Sequence, residues 1–287
     1  MDLHEHGLAS DLDMMNQLVS DRRQVLRWLL AGAASLPLMS CGGGPDAGGP
    51  AAGSSSGTSG TGTGSVAAPV PGACTVIPEE TGGPYPADGT NTNGGSIINV
   101  LNQSGVVRSD IRASFNGPTG VAAGVPLSIQ LQLLNASGNC ASLAGYAIYL
   151  WHCDREGLYS LYSSGVTGQN YLRGVQETDA SGKLGFTTIF PGCYAGRMPH
   201  VHFEVYPSLA KAASGANRIK TSQFTFPMAT LNEVYAAAGY AASVRNLAQL
   251  SYASDNVFSD GTSLQMAGVT GNAADGYVVT LTVAVHG

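Results

Sequence analysis

From Val125 onward the apolar residues recur with the period of a β-strand, and this rhythm limits the available folds more than any other feature of the chain. Leu127, Ile129, Leu131 and Leu133 alternate with Ser128, Gln130 and Gln132, so an extended segment here would bury one face and wet the other. The run stops at Asn135-Ala136-Ser137-Gly138, a turn signal. Tyr146 to Cys153 is almost continuously apolar, the mark of a strand covered on both faces. A second turn, Thr178-Asp179-Ala180-Ser181-Gly182-Lys183, leads into Leu184 to Phe190, after which Pro191-Gly192 breaks the chain. Near the end, Val279, Leu281, Val283 and Val285 share one face of a last strand. Helix is scarce. Thr230-Leu231-Asn232-Glu233 reads as a capping box, with Leu231, Val234, Tyr235 and Ala238 at helical spacing, which predicts one short helix. Short strands separated by turns predict an all-β sandwich or barrel with long loops. No internal repeat is visible, and residues 74–287 read as a single domain.

The first seventy residues follow a different pattern. Arg22-Arg23 lie just before an apolar stretch, Trp28 to Met39, that is shorter than the ~20 residues a membrane-spanning helix needs. Residues 1–40 are therefore expected to be a twin-arginine export signal. The stretch ends in Leu38-Met39-Ser40-Cys41, which resembles a bacterial lipobox, although Met39 is an unusual middle residue. Cys41 is then the expected lipidation site, and residues 41–73, rich in Gly, Ser and Thr, form a flexible tether. The expected location is periplasmic, either free or tethered to a membrane through the lipid. Without residues 1–40 the net charge is −4, and no basic cluster remains, which argues against a nucleic-acid partner. Four further cysteines would share an oxidising compartment, and the expected pairs are Cys74 with Cys140 and Cys153 with Cys193, free buried thiols being the alternative. No Cys-x-x-Cys occurs, so a zinc ribbon has no support.

The chemistry-bearing stretch is Tyr194-Ala195-Gly196-Arg197-Met198-Pro199-His200-Val201-His202. On a strand, His200 and His202 point to one side and could grip one metal ion. A three-histidine site would have to recruit His152 or His286, and neither is well spaced for it. Tyrosines, by contrast, stand on both sides of the motif region, at Tyr159 and Tyr194. A phenolate is a hard anionic donor whose pKa of about 10 falls only under a strong Lewis acid, and ferric iron is such an acid. Two phenolates and a hydroxide would offset its charge in a dry pocket.

Several segments together resemble one family. They are Gly157-Leu158-Tyr159-Ser160, Tyr171-Leu172-Arg173-Gly174-Val175-Gln176-Glu177-Thr178-Asp179, Phe186-Thr187-Thr188-Ile189-Phe190-Pro191-Gly192-Cys193-Tyr194 and Gly196-Arg197-Met198-Pro199-His200-Val201-His202-Phe203. In order and spacing they resemble the intradiol aromatic-ring dioxygenases, above all secreted relatives of protocatechuate 3,4-dioxygenase. Pro78-Glu79-Glu80-Thr81-Gly82-Gly83-Pro84-Tyr85 and Val107-Arg108-Ser109-Asp110-Ile111 resemble the family's amino-terminal motifs, and Thr221-Ser222-Gln223-Phe224 its Thr-Gln-aromatic strand with Ser222 interposed. The resemblance covers about residues 78–226 and leaves the last sixty out.

It implies a β-sandwich core and a non-haem Fe(III) held by Tyr159, Tyr194, His200 and His202, with Tyr194 the ligand that leaves when a catechol binds. It implies that Arg197 stabilises the electron-rich ring and that Gln223 matches a glutamine near the same pocket; Tyr85 is a candidate to line that pocket, the alternative being that it packs the amino-terminal arm. The implied reaction inserts both atoms of O2 between the two hydroxyl-bearing carbons of a catechol-type molecule and yields a muconate-type diacid. The competing reading is a surface-tethered β-sandwich binding module without catalysis.

Overall fold

The alternating and apolar runs are strands in the computed structural model, which describes residues 74–287. Among these residues the strands are, in chain order, β1 Asp88–Asn93, β2 Ser96–Asn99, β3 Pro126–Asn135, β4 Ala141–Ser142, β5 Ala147–Trp151, β6 Arg173–Glu177, β7 Lys183–Ile189, β8 His200–Tyr206, β9 Lys220–Thr225, β10 Gly268–Asn272 and β11 Gly276–Val285. One sheet runs β10-β11-β3-β4, with β7 also paired to β3, and a second runs β6-β5-β8-β9. β11 lies parallel to β3, and the other named pairs are antiparallel. The export signal, the tether and Cys41 lie outside the described residues. Among the described ones, no helix is long and apolar enough to cross a membrane.

The two sheets face each other across one apolar core. Ile129, Leu131 and Leu133 of β3, Phe186 of β7 and Val279 and Val283 of β11 meet Ile148 and Leu150 of β5, Val201, Phe203 and Val205 of β8 and Phe224 of β9. This is the all-β sandwich expected from the strand pattern. The opposite face of the β5–β8 pair is also covered. Tyr149 and Trp151 of β5 and Tyr206 of β8 pack under Ala87, Val100, Leu101 and Val106 of the amino-terminal arm. Every residue of β5 and of β8 is consequently buried, as the unbroken apolar run over 146–153 requires.

The helix expected to start at a Thr230 cap is present but begins earlier, at Met228–Val234. Pro227 is its extended first flank, and the Pro227 carbonyl accepts from Leu231 N–H, so Thr230 falls inside the helix and caps nothing. A second short helix, Ala241–Leu247, lacks a capping side chain and was not expected. Cys74 and Cys140 form a disulfide. The other expected pair is corrected, since Cys153 and Cys193 are free and buried. Both thiols instead face backbone carbonyls, Cys153 that of Gly192 and Cys193 those of Tyr194 and Arg197.

Candidate metal centre

His200 and His202 occupy the first and third positions of β8 and so share its outer face. Register sets His202 opposite Trp151 on one side and Gln223 on the other. Trp151 stacks on the His202 ring at 4.8 Å and 1°, which fixes that imidazole's plane. The His200 ring stands nearly perpendicular to it, and the two Nε2 atoms are 3.0 Å apart. His200 Nδ1 donates to the Met198 carbonyl at 2.7 Å, which leaves the Nε2 lone pair facing inward. His202 Nδ1 closes no hydrogen bond of normal geometry, although the Thr81 carbonyl lies near enough to favour the charged ring. Burial outweighs this and pushes both imidazoles well below their usual range, with Arg197 adding to the effect on each. Both rings are thus neutral and able to act as donors.

The two tyrosines arrive from neighbouring loops. Asp154 accepts the N–H groups of Glu156 and Leu158 at 2.9 Å each, which folds the chain after β5 into a tight turn. Gly157 closes that turn with φ +86°, where a Cβ would stand 3.0 Å from Tyr194 Cβ. The loops are therefore in contact, and the rings of Tyr159 and Tyr194 lie 5.9 Å apart, edge to face. Tyr159 Oη is 3.4 Å and Tyr194 Oη 3.3 Å from His200 Nε2. Tyr159 is buried and Tyr194 half-buried. Burial above all, and then Tyr194, hold the Tyr159 phenol well above its ordinary pKa, so it ionises only beside a strong cation.

Three donor atoms, Tyr159 Oη, Tyr194 Oη and His202 Nε2, thus lie 3.0–3.4 Å from a fourth, His200 Nε2. Donors bound at about 2.1 Å with bond angles of 90–110° are spaced by about the same amount. No three His, Cys, Asp or Glu side chains cluster among the described residues, so an ion here would depend on the tyrosines. Two neutral imidazoles and two ionisable phenols suit a hard trivalent ion better than a soft divalent one.

Arg197 is buried beside these donors. Its Nε donates to Asp255 Oδ2 at 3.0 Å and its Nη2 to Gln223 Oε1 at 2.7 Å. Burial opposes its charge, but Tyr194 and Asp255, with Tyr159, outweigh burial and raise its pKa. Gln223 Nε2 donates in turn to the Thr81 carbonyl at 2.7 Å. The Tyr85 ring centroid is 4.9 Å from that of Tyr159 and 5.1 Å from that of Tyr162, at the edge of the site. His152 is not among the converging groups, because its two nitrogens are engaged by the Cys153 carbonyl and Thr188 Oγ1. His286 lies on the surface against Ser137.

Three residues beyond the sequence expectations take part. Trp151 braces His202 and Asp255 holds Arg197. The buried Arg173 guanidinium donates to Ser160 Oγ, Ser160 O, Pro86 O and Tyr149 Oη, locking the segment beside Tyr159 to the arm. Arg173 lay inside a quoted motif and Trp151 on an expected strand, but Asp255 lies beyond the resemblance and carried no signal.

Residues 108–213 match the family model described as "Dioxygenase", a span that includes Tyr159, Tyr194, Arg197, His200 and His202 but not Gln223. A sequence comparison with curated proteins gives no match. An intradiol ring-cleavage dioxygenase from Tetranychus urticae superposes with a TM-score of 0.56 at 22% identity, covering 74% of this chain and 94% of that one. The dioxygenase domain of a carbohydrate-binding fusion from Streptomyces sp. SirexAA-E gives 0.45 at 21% identity, over 74% and 98% of the two chains. Catechol 1,2-dioxygenase from Pseudomonas arvilla C-1 gives 0.39 at 21% identity, over 61% and 55%. The matched segment and the shared β-fold agree with the motifs: this chain resembles the intradiol ring-cleavage dioxygenases in both.

Proposed function

We propose that the protein is a non-haem Fe(III) intradiol dioxygenase that opens the ring of a catechol-type molecule between its two hydroxyl-bearing carbons, using O2, to give a muconate-type diacid. One observation carries this reading, the gathering of Tyr159 Oη, Tyr194 Oη and His202 Nε2 within 3.0–3.4 Å of His200 Nε2 on the outer face of β8. When bound, the ferric ion would hold the two catechol oxygens and make the ring reactive toward O2. His200 and His202 supply neutral donors fixed by the Met198 carbonyl and by Trp151. Tyr159, walled in by burial, would hold the ion as a phenolate throughout. Tyr194 is half-buried, and its Oη would be the base for the proton of an incoming catechol hydroxyl.

Arg197 places a buried positive charge beside the ring as negative charge develops on it, where a low dielectric makes that charge effective. Gln223 orients the guanidinium and Tyr85 offers a ring face to the substrate. A scaffold that only bound ligands would need none of these donors. Residues 1–41 support export by the twin-arginine route and a lipid on Cys41 as part of the same proposal.

The test is direct. Purified protein should carry about one iron per chain, show the visible charge-transfer band of tyrosinate on ferric iron, and take up O2 with one or more of catechol, protocatechuate and hydroxyquinol. A colourless chain that refuses iron on reconstitution would remove the proposal.

A further inference from the structure

Asp255 is fully buried and lies in the last sixty residues, outside both the motif-bearing region and the matched segment. Each of its oxygens accepts two N–H groups. Oδ2 takes Arg197 Nε at 3.0 Å and Met198 N at 2.7 Å, while Oδ1 takes Val257 N at 2.9 Å and Phe258 N at 3.1 Å. The Oδ1 bonds anchor the carboxylate to its own loop, and the Oδ2 bonds reach across to the turn that precedes His200. Phe258 lies against the same guanidinium, 5.9 Å from its central carbon. Further along, Gln265 Nε2 donates to the Gln223 carbonyl at 3.0 Å, and Thr225 exchanges backbone bonds with Gln265 and Ala267. One segment, 255–267, therefore holds the Arg197 side chain through Asp255 and the backbone of β9 at Gln223 and Thr225.

We propose that Asp255 is the positioning residue for Arg197, setting the guanidinium beside the tyrosine and histidine donors and balancing its charge. This rests on the dioxygenase reading for its catalytic consequence, but not for the geometry. A buried arginine with a single carboxylate partner cannot hold its place once that partner loses its charge. In Asp255→Asn an amide could keep only one side as acceptor. If its oxygen stays on Val257 and Phe258, its NH2 meets two donors, Arg197 Nε and Met198 N.

The test compares Asp255→Asn with the full-length protein. The variant's kcat should fall about 10- to 100-fold, as for other groups that orient an acting residue. KM, iron content and the visible band should hold, because the four donors are untouched. Arg197, read by phenylglyoxal labelling and peptide mass spectrometry, should change from unreactive to reactive. In an Arg197→Met background the same Asp255 change should alter kcat by less than about twofold.

The proposal is overturned if Asp255→Asn keeps wild-type turnover with Arg197 unreactive. It is also overturned if the loss is equal in both backgrounds, or if the variant loses iron, since Asp255 would then act on the donors through Met198. Should Asp255→Asn fail to fold, Asp255→Glu, which keeps the charge but displaces it, carries the same readouts. If the wild-type protein proves iron-free or inactive, the dioxygenase reading fails on its own, while the labelling still decides whether Asp255 holds Arg197.

Discussion

His152 and His202 are both buried, neutral imidazoles next to Trp151, yet only one of them faces the centre. His152 donates from Nδ1 to the Cys153 carbonyl at 2.7 Å and meets Thr188 Oγ1 at 2.8 Å, and burial lowers its pKa to about 4. It is a structural side chain. His152→Leu should cost about 1–3 kcal/mol by leaving the Thr188 hydroxyl and Cys153 carbonyl unpaired, with iron content unchanged; chemical denaturation and metal analysis check both. The His-x-His pair was legible because a period of two leaves no choice of face. The role of His152 was not, since its partners arrive from residues 36 positions away and from its own neighbour.

The next residue on the same face, Glu204, gives a pH prediction. Burial, and then Asp88, raise its pKa from 4.5 to about 8, while Tyr206 Oη donates to it at 2.5 Å. The folded chain then holds a proton that the unfolded chain releases above about pH 4.5. Stability should be fullest below that value and fall as pH rises towards 8, with a slope of at most about 1.4 kcal/mol per pH unit. Glu204→Gln should flatten this slope in denaturation curves taken across the window. An unchanged slope would assign the proton elsewhere.

At the scale of elements, the loop after β5 sets the distance between the two tyrosines. Gly157→Ala would put a side chain at φ +86°, costing about 1–2 kcal/mol, and would press on Tyr194 Cβ. The unfolding free energy from chemical denaturation should drop by that amount and the visible band should shift, whereas a wild-type band would show that Tyr194 tolerates the push. β3, β5, β7 and β11 were legible because burial on one face or both leaves its period in the sequence. The β1–β2 hairpin was not. Its residues, Asp-Gly-Thr-Asn-Thr-Asn and Ser-Ile-Ile-Asn, carry no alternation, and only Asn93-Gly94 marked a turn. The helix start was misplaced for a local reason, since a proline flank set the boundary ahead of the Thr230 signal.

Across residues 74–287, the outer face of the β5–β8 pair is usable as a site because the amino-terminal arm roofs it. The arm is held along its length. Ile77 N–H donates to the Ala284 carbonyl, Glu80 N–H to that of Thr221, and Tyr149 Oη to that of Pro86. Contacts of this kind join residues far apart in sequence, so no local pattern could reveal them. The Cys74–Cys140 disulfide pins the start of the arm to the turn beyond β3, closing a separation of 66 residues.

A cross-link of this span restricts the unfolded chain and should contribute about 2–4 kcal/mol. Cys74→Ser with Cys140→Ser should therefore lower the denaturation midpoint, and wild-type protein unfolded in a reductant should fall to the same value. Iron content should hold in the variant, because the Glu80, Gln223 and Pro86 bonds still seat the arm over the donors. A midpoint insensitive to both the substitutions and the reductant would show that these bonds alone keep the roof in place.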